Sequence, residues 1–137
     1  MELKTRHFTM SNSEMKAHLQ ELAPILKQRN MLGYLAAYNT RVLTNALQEY
    51  SSFEREAIMK YGVNDLDEQG LPTGTKSIQI GSPEYKEFIK ELRPYLDIEQ
   101  EVVIAIAKYE SVINILSGEE ILELDWMLDG EGIEWPE

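Results

Sequence analysis

The chain contains no cysteine among its 137 residues. This absence excludes disulfides, thiolate catalysis, and the zinc and iron–sulfur sites that are built from cysteine. Long hydrophobic runs are also missing, since no stretch approaches the roughly 20 apolar residues that a membrane span needs, and the first residues lack the apolar run of a signal peptide. We therefore predict a cytoplasmic protein that has no membrane partner.

Recognisable catalytic motifs are absent as well. The sequence has no H-E-x-x-H, no P-loop, no G-x-S-x-G and no G-x-G-x-x-G. Without cysteine, and with no serine or threonine in a recognisable nucleophile setting, covalent catalysis lacks a candidate residue. We predict a protein that is not an enzyme, with no catalytic residue, no metal site and no cofactor.

One segment partly matches a calcium-binding loop. Residues 65–70 read D-L-D-E-Q-G, which is the opening of an EF-hand loop, but its twelfth position is Lys76 in place of a bidentate glutamate and its eighth is Pro72. This mismatch favours an acidic turn at the start of a hairpin or loop.

The two histidines give a second metal alternative. Glu14 lies four residues before His18 on a predicted helix, a spacing that can hold a metal on one helical face, and His7 lies on a predicted strand. Such a pair is more often a surface contact. A metal-dependent protein therefore stays one alternative hypothesis.

Length and composition predict one folded domain. A chain of 137 residues with 43% hydrophobic and 27% charged residues is typical of a soluble globular protein. We predict a single domain over residues 1–137, with a flexible tail after about residue 130.

Periodicity and turn residues predict the elements. Helices are expected over about 12–28, with a kink or early stop caused by Pro24, over 31–60 as one long helix, from Ser82 to before Pro94, and from Ser117 to before Gly130. The first and last of these helices are each expected to begin with a capping box, formed by Ser11 with Glu14 and by Ser117 with Glu120. Strands are expected over 3–9, 76–80 and 99–108, the first pairing with the last as an edge strand. The predicted fold is α+β and mostly helical, with a long antiparallel helical hairpin, a small antiparallel sheet and two shorter helices.

Charge is distributed very unevenly. The stretch from Asp97 to Glu137 holds 12 acidic residues and one basic residue, Lys108, whereas residues 1–96 are balanced, so this stretch carries the whole net charge of −11. A pI near 4.6 opposes direct nucleic-acid binding, which depends on lysine and arginine. The imbalance predicts an acidic surface for a protein partner, unless it is only a solvated face.

Six residues are candidates for partner binding. Glu119, Glu120 and Glu123, with Asp125 and Asp129, are expected on the solvated face of the last helix, opposite its apolar residues. The other candidates are aromatic: Tyr34 and Tyr38, which share a helical face with Arg41, and Trp126. The alternatives are that the tyrosines line the helical hairpin and that Trp126 belongs partly to the core.

The stretch from Ile98 to Asp129 resembles the C-terminal part of a family of uncharacterised small proteins from tailed phages and prophages of Gram-positive bacteria. The resemblance rests on the acidic strand, on L-S-G-E-E at 116–120 and on L-D-W-M-L-D at 124–129. The long N-terminal helical region and the D-E-Q-G turn at 67–70 are also similar. The resemblance implies a phage origin and a host-cell cytoplasmic location, and it implies no activity.

Two functional hypotheses follow. The first is a non-enzymatic phage or prophage accessory protein that acts through protein–protein contact, with a homo-oligomer as one version. The second is an acidic inhibitor of a host defence nuclease that mimics nucleic acid, since clustered carboxylates can occupy a basic groove.

Overall fold

The structure is a computed structural model that describes residues 3–130. Those residues form six α-helices and six strands, and helix predominates, so the fold is the mostly helical α+β fold that the sequence predicts. None of the described helices has the length and apolar character that crossing a membrane requires. The tail expected after about residue 130 lies outside the described residues.

The residue contacts divide the chain into two compact units. The first unit comprises the described residues up to Ala46 and those from Glu99 onward, and the second unit comprises Leu47–Ile98. Compact units of one chain can unfold together, so a single domain over residues 1–137 stays a prediction.

The first unit contains four elements in its N-terminal segment and six in its C-terminal segment. The elements are β1 (Thr5–Ser11), α1 (Asn12–Leu22), a 3₁₀ turn (Ala23–Lys27), α2 (Met31–Ala46), β4 (Glu99–Ala105), β5 (Ala107–Lys108), α5 (Tyr109–Val112), α6 (Gly118–Glu123), a second 3₁₀ turn (Asp125–Met127) and β6 (Leu128–Asp129). The second unit contains α3 (Gln48–Tyr61), β2 (Val63–Leu66), β3 (Pro72–Ser77) and α4 (Pro83–Leu96).

The N-terminal strand pairs where the sequence predicts. β1 runs antiparallel to β4, in a register from Thr5 opposite Ala105 to Ser11 opposite Glu99. Val102 and Ile104 are buried, in keeping with the apolar face expected for β4. This two-stranded sheet is the frame of the first unit.

Local signals set the limits of α1. The Ser11 hydroxyl accepts from the Glu14 N–H at 3.1 Å and the Glu14 carboxylate accepts from the Ser11 N–H at 3.3 Å, which is a complete capping box. The helix ends at Leu22 and Pro24 lies in the first turn of the 3₁₀ segment, so the early stop is confirmed. This region packs against α2 and forms the predicted helical hairpin.

Asn39 of α2 is fully buried, and its side chain bonds to the backbone of β4 as a neighbouring strand would. Its Nδ2 donates to the carbonyl oxygen of Ala105 at 3.0 Å, and its Oδ1 accepts from the Ala105 N–H at 2.7 Å. In an antiparallel pair alternate residues direct their backbone groups away from the neighbouring strand. Asn39 satisfies such groups in an interior that water does not reach.

The prediction of a single helix over residues 31–60 is wrong. It is interrupted at Leu47, which has φ −89° and ψ 3°, and this residue begins the second unit. The carbonyl oxygen of Ala46 accepts from the Gln100 Nε2 at 2.8 Å, and the same amide group donates to Asn12 Oδ1 at 2.7 Å. The last carbonyl oxygen of α2 thus accepts a hydrogen bond from a side chain far away in the chain. In a continuous helix this oxygen would accept from a backbone N–H of the next turn.

In the second unit, α3 packs against α4. The rings of Phe53 and Tyr95 stack with centroids 4.5 Å apart, and Lys60 Nζ lies 3.1 Å from Glu91 Oε1. The expected end of α4 before Pro94 is wrong, because the helix continues to Leu96. Proline near the last turn removes only one backbone bond, and the Asp97 N–H still donates to the Arg93 carbonyl.

The loop region between α3 and α4 contains a β-hairpin. β2 pairs antiparallel with β3, and the second strand spans 72–77, whereas the sequence predicted 76–80. Nearly every residue of both strands is exposed or half-exposed.

The prediction of a long final helix, from Ser117 to before Gly130, is also wrong. α6 ends at Glu123, a 3₁₀ turn follows, and Leu128 and Asp129 form a short parallel pair with Ala107 and Lys108. The paired residues, Ala107 with Leu128 and Lys108 with Asp129, are 21 positions apart in the chain, a separation that helical periodicity cannot reveal.

Candidate protein interaction surface

The segment from α5 to α6 directs large apolar side chains both inward and outward. Val112, Leu116 and Leu124 are buried in the first unit. Between them, Ile113 is 56% exposed, Ile115 is 42% exposed and Leu122 is 80% exposed. Clustered exposed apolar residues are typical of interaction sites in soluble proteins.

Two of the three predicted glutamates lie beside this exposed leucine. Glu119 and Glu123 are exposed on α6, one helical turn apart. We define the α6 surface as Glu119, Leu122 and Glu123. It joins an apolar side chain to two carboxylates, which is the combination of anchor and polar rim found in protein interfaces.

Glu120, the third of these glutamates, caps α6. Its carboxylate accepts from the Ser117 N–H at 3.0 Å, and the Ser117 hydroxyl accepts from the Glu120 N–H at 3.2 Å. This is the capping box that the sequence predicted, and it holds the start of α6. Glu120 is half-buried, whereas Glu119 and Glu123 are exposed, so the partner-binding role expected of Glu120 stays a prediction.

Asp129 does not lie on the acidic face. It was expected to align with Asp125 on one helix, but it is only 8% exposed in β6, where it forms an ion pair with Lys4, and Arg6 Nη2 lies 3.7 Å from its Oδ1. The N-terminal cations neutralise this carboxylate, so the acidic surface is smaller than the sequence suggested.

Trp126 is packed against α1. Its ring stacks on His18 with centroids 4.1 Å apart, and its Nε1 is buried without a hydrogen-bond partner in the described part of the chain. His18 Nδ1 also lies 2.6 Å from Glu21 Oε1. Trp126 is half-buried, in keeping with the alternative that it belongs partly to the core.

The two tyrosines lie on α2. Tyr34 is 54% exposed and Tyr38 is half-buried. Within residues 3–130 no hydrogen bond, ion pair or ring contact joins either side chain to α6. The structure therefore does not bring all six candidate residues into one site.

The EF-hand-like segment forms the turn of the β2–β3 hairpin. Asp65 accepts from the Ser77 hydroxyl at 2.5 Å and from the Thr75 hydroxyl at 2.8 Å, and these hydrogen bonds lower the pKa of the Asp65 carboxyl. Asp67 Oδ1 accepts from the N–H groups of Gln69 and Leu71, both at 2.9 Å. The two carboxylates are used within the hairpin, as the acidic-turn alternative predicted.

No group of three or more histidine, aspartate or glutamate side chains with metal-binding geometry occurs in the part of the chain that the structure describes. Glu14 caps α1 and does not bond to His18, while His7 Nδ1 lies 3.2 Å from Glu101 Oε1 on the exposed surface of the sheet.

Sequence reasoning missed a basic groove on α4. Lys86, Lys90 and Arg93 line an open groove of about 830 Å³ together with Tyr85, Glu87 and Ile89. The spacing K-x-x-x-K-x-x-R at residues 86–93 is the signal for its cations, because residues four and three apart share a helical face.

The chain was compared with protein families, curated proteins and solved structures. No family model matches it, and no curated protein or solved structure is significantly similar. The resemblance to the phage and prophage family therefore stays a prediction.

Proposed function

We propose that this protein is a non-enzymatic accessory protein of phage or prophage origin, which acts in the cytoplasm of the host cell by binding another protein. The α6 surface is the proposed contact. The observation that carries the proposal is the 80% exposure of Leu122 between the exposed carboxylates of Glu119 and Glu123. A leucine in this position is an apolar anchor that water solvates poorly.

The same observation favours a protein contact with an apolar centre over a mimic of nucleic acid. A nucleic-acid mimic depends on its carboxylates and on low salt, since charge alone attracts the basic groove. An apolar anchor depends mainly on buried area, which salt does not weaken. Isoleucines 113 and 115 add further exposed apolar area to the same segment.

The test separates the anchor from the charges. The immobilised protein is used to capture partners from a lysate of a phage-infected Gram-positive bacterium, and the captured protein is then purified and titrated against variants by calorimetry. We expect Leu122→Ser to weaken binding by at least about tenfold, as for an interface anchor. Glu119→Gln with Glu123→Gln should weaken it less, and mainly at low salt.

The matched control is Leu66→Ser, which changes another exposed leucine in the β2–β3 hairpin. It should leave the affinity unchanged. Equal binding by wild type and Leu122→Ser would contradict the proposal. Loss of binding in the glutamate double variant alone, together with complete release by salt, would favour the nucleic-acid mimic.

A further inference from the structure

The groove on α4 is lined by three cations, Lys86, Lys90 and Arg93, and by one carboxylate, that of Glu87. Lys86 and Lys90 are exposed, and with Arg93 they line one side of the helix without any ion pair to the residues that the structure describes. Tyr85 and Ile89, both half-buried, supply apolar area to the same groove. The groove therefore fits a partner that combines carboxylates with an apolar side chain.

The α6 surface has this combination with the same spacing. Residues 86–90 read K-E-F-I-K and residues 119–123 read E-E-I-L-E, so each has a charge, two intervening residues, an apolar residue and a second charge of the same sign. Both segments are helical, and charges four residues apart are about 6 Å apart along a helix axis. Two ion pairs can therefore form at once.

We infer that the occupant of the α4 groove is the α6 surface of a second copy of this chain. This inference rests on the proposed function, because it names a partner for the same surface. In a parallel crossing, Glu119 meets Lys86 and Glu123 meets Lys90. The same crossing places Leu122 against Ile89.

Net charge limits the strength of the contact. Each copy carries −11, so two copies repel at long range, but at physiological salt the screening length is about 8 Å and only nearby charges act strongly. At this short distance the lysines of the α4 groove and the glutamates of the α6 surface attract each other. Because α6 has only six residues, the contact is small, and we expect weak association with a dissociation constant in the micromolar to millimolar range.

The contact joins two different surfaces and is therefore head-to-tail. Each copy has one groove and one α6 surface, so association continues from copy to copy and gives a ring or an open chain. This behaviour differs from that of a symmetric dimer, in which both copies use the same patch and growth stops.

The test uses two neutralised variants of the full chain, studied by sedimentation equilibrium. Lys86→Gln with Lys90→Gln removes the groove charges, and Glu119→Gln with Glu123→Gln removes the acidic charges but keeps the capping residue Glu120. Wild type should show a mass that rises with concentration at about 0.05 M salt and falls at about 0.5 M salt. Each variant alone should associate about tenfold more weakly.

The decisive sample is an equal mixture of two charge-reversed variants, because the neutralised variants keep the apolar contact. Lys86→Glu with Lys90→Glu is mixed with Glu119→Lys with Glu123→Lys. Each reversed variant should be monomeric, and the mixture should regain the wild-type mass. The control, Lys27→Gln with Arg41→Gln, changes two exposed cations elsewhere and should behave as wild type.

A wild-type protein that is monomeric at about 1 mM in low salt overturns the inference and leaves the partner-capture comparison to decide the proposed function. Association that persists in both reversed variants also overturns it, because another surface would then be responsible. Failure of the reversed pair to associate when mixed, while wild type associates, has the same meaning.

Discussion

The two units differ in how they satisfy their polar groups and bury their apolar ones. Of the ten largest fully buried side chains among residues 3–130, nine belong to the first unit and one, Leu92, belongs to the second. The first unit contains buried or part-buried polar bonds between residues far apart in the chain, as between Asn39 and Ala105 or Lys4 and Asp129. In the second unit Tyr50 bonds to Glu54, one helical turn away. Structure in the first unit thus depends on long-range pairing.

The largest effect is expected at Asn39. Asn39→Ala leaves the buried N–H and carbonyl of Ala105 without partners, and we expect it to lower the free energy of unfolding by about 3 kcal/mol. Urea unfolding measures this change, with Asn45→Ala, an exposed position on the same helix, as the control. A loss no greater than the control's would contradict the long-range account of the first unit.

The second effect concerns the buried carboxylate of the first unit. Asp129→Ala removes the partner of Lys4 and should cost about 2 kcal/mol, less than for a fully buried pair because Lys4 is half-exposed. Asp125→Ala, four residues earlier and exposed, should cost under about 0.5 kcal/mol. Thermal unfolding of the two variants compares them directly, and similar losses would restore the single acidic face that the sequence predicted.

The smallest effect concerns the second unit and appears only at alkaline pH. Burial, and then the hydrogen bond to Glu54, raise the pKa of the Tyr50 hydroxyl. The folded state therefore keeps a proton that the unfolded state releases above about pH 10, so stability is full below that pH and falls as pH rises, by at most about 1.4 kcal/mol per pH unit.

Tyr50→Phe should remove this part of the pH dependence, whereas Tyr34→Phe, at an exposed position, should not. The measurement is urea unfolding between about pH 8 and pH 11. Parallel pH curves for wild type and Tyr50→Phe would show that the local bond in the second unit does not contribute.

The sequence predicted features that neighbouring residues determine. Both capping boxes, at Ser11 and Ser117, and the stop at Pro24 depend on residues within one helical turn. The break after Ala46 and the burial of Asp129 were missed, because the groups that bond to these two residues, in Gln100 and Lys4, lie far away in the chain. Long-range contacts of this kind override local pattern.

The candidate surface was predictable in its charges and not in its apolar centre. Glu119 and Glu123 were expected on a solvated face, and they are exposed. Leu122 carried no signal, because apolar residues of an amphipathic helix are expected to face inward. The cations of α4 were readable from their spacing, whereas the open groove beside them depends on the loop at Gly81 and Ser82.

The pairing of β1 with β4 has a consequence for folding during synthesis. Thr5 lies opposite Ala105, so β1 stays without its strand partner until about a hundred more residues have left the ribosome. The second unit is encoded entirely between these two strands, and its contacts close within residues 47–98. The less buried second unit is therefore complete before the first unit can form. Until then the nascent chain exposes the unpaired backbone groups of β1, which a chaperone could bind.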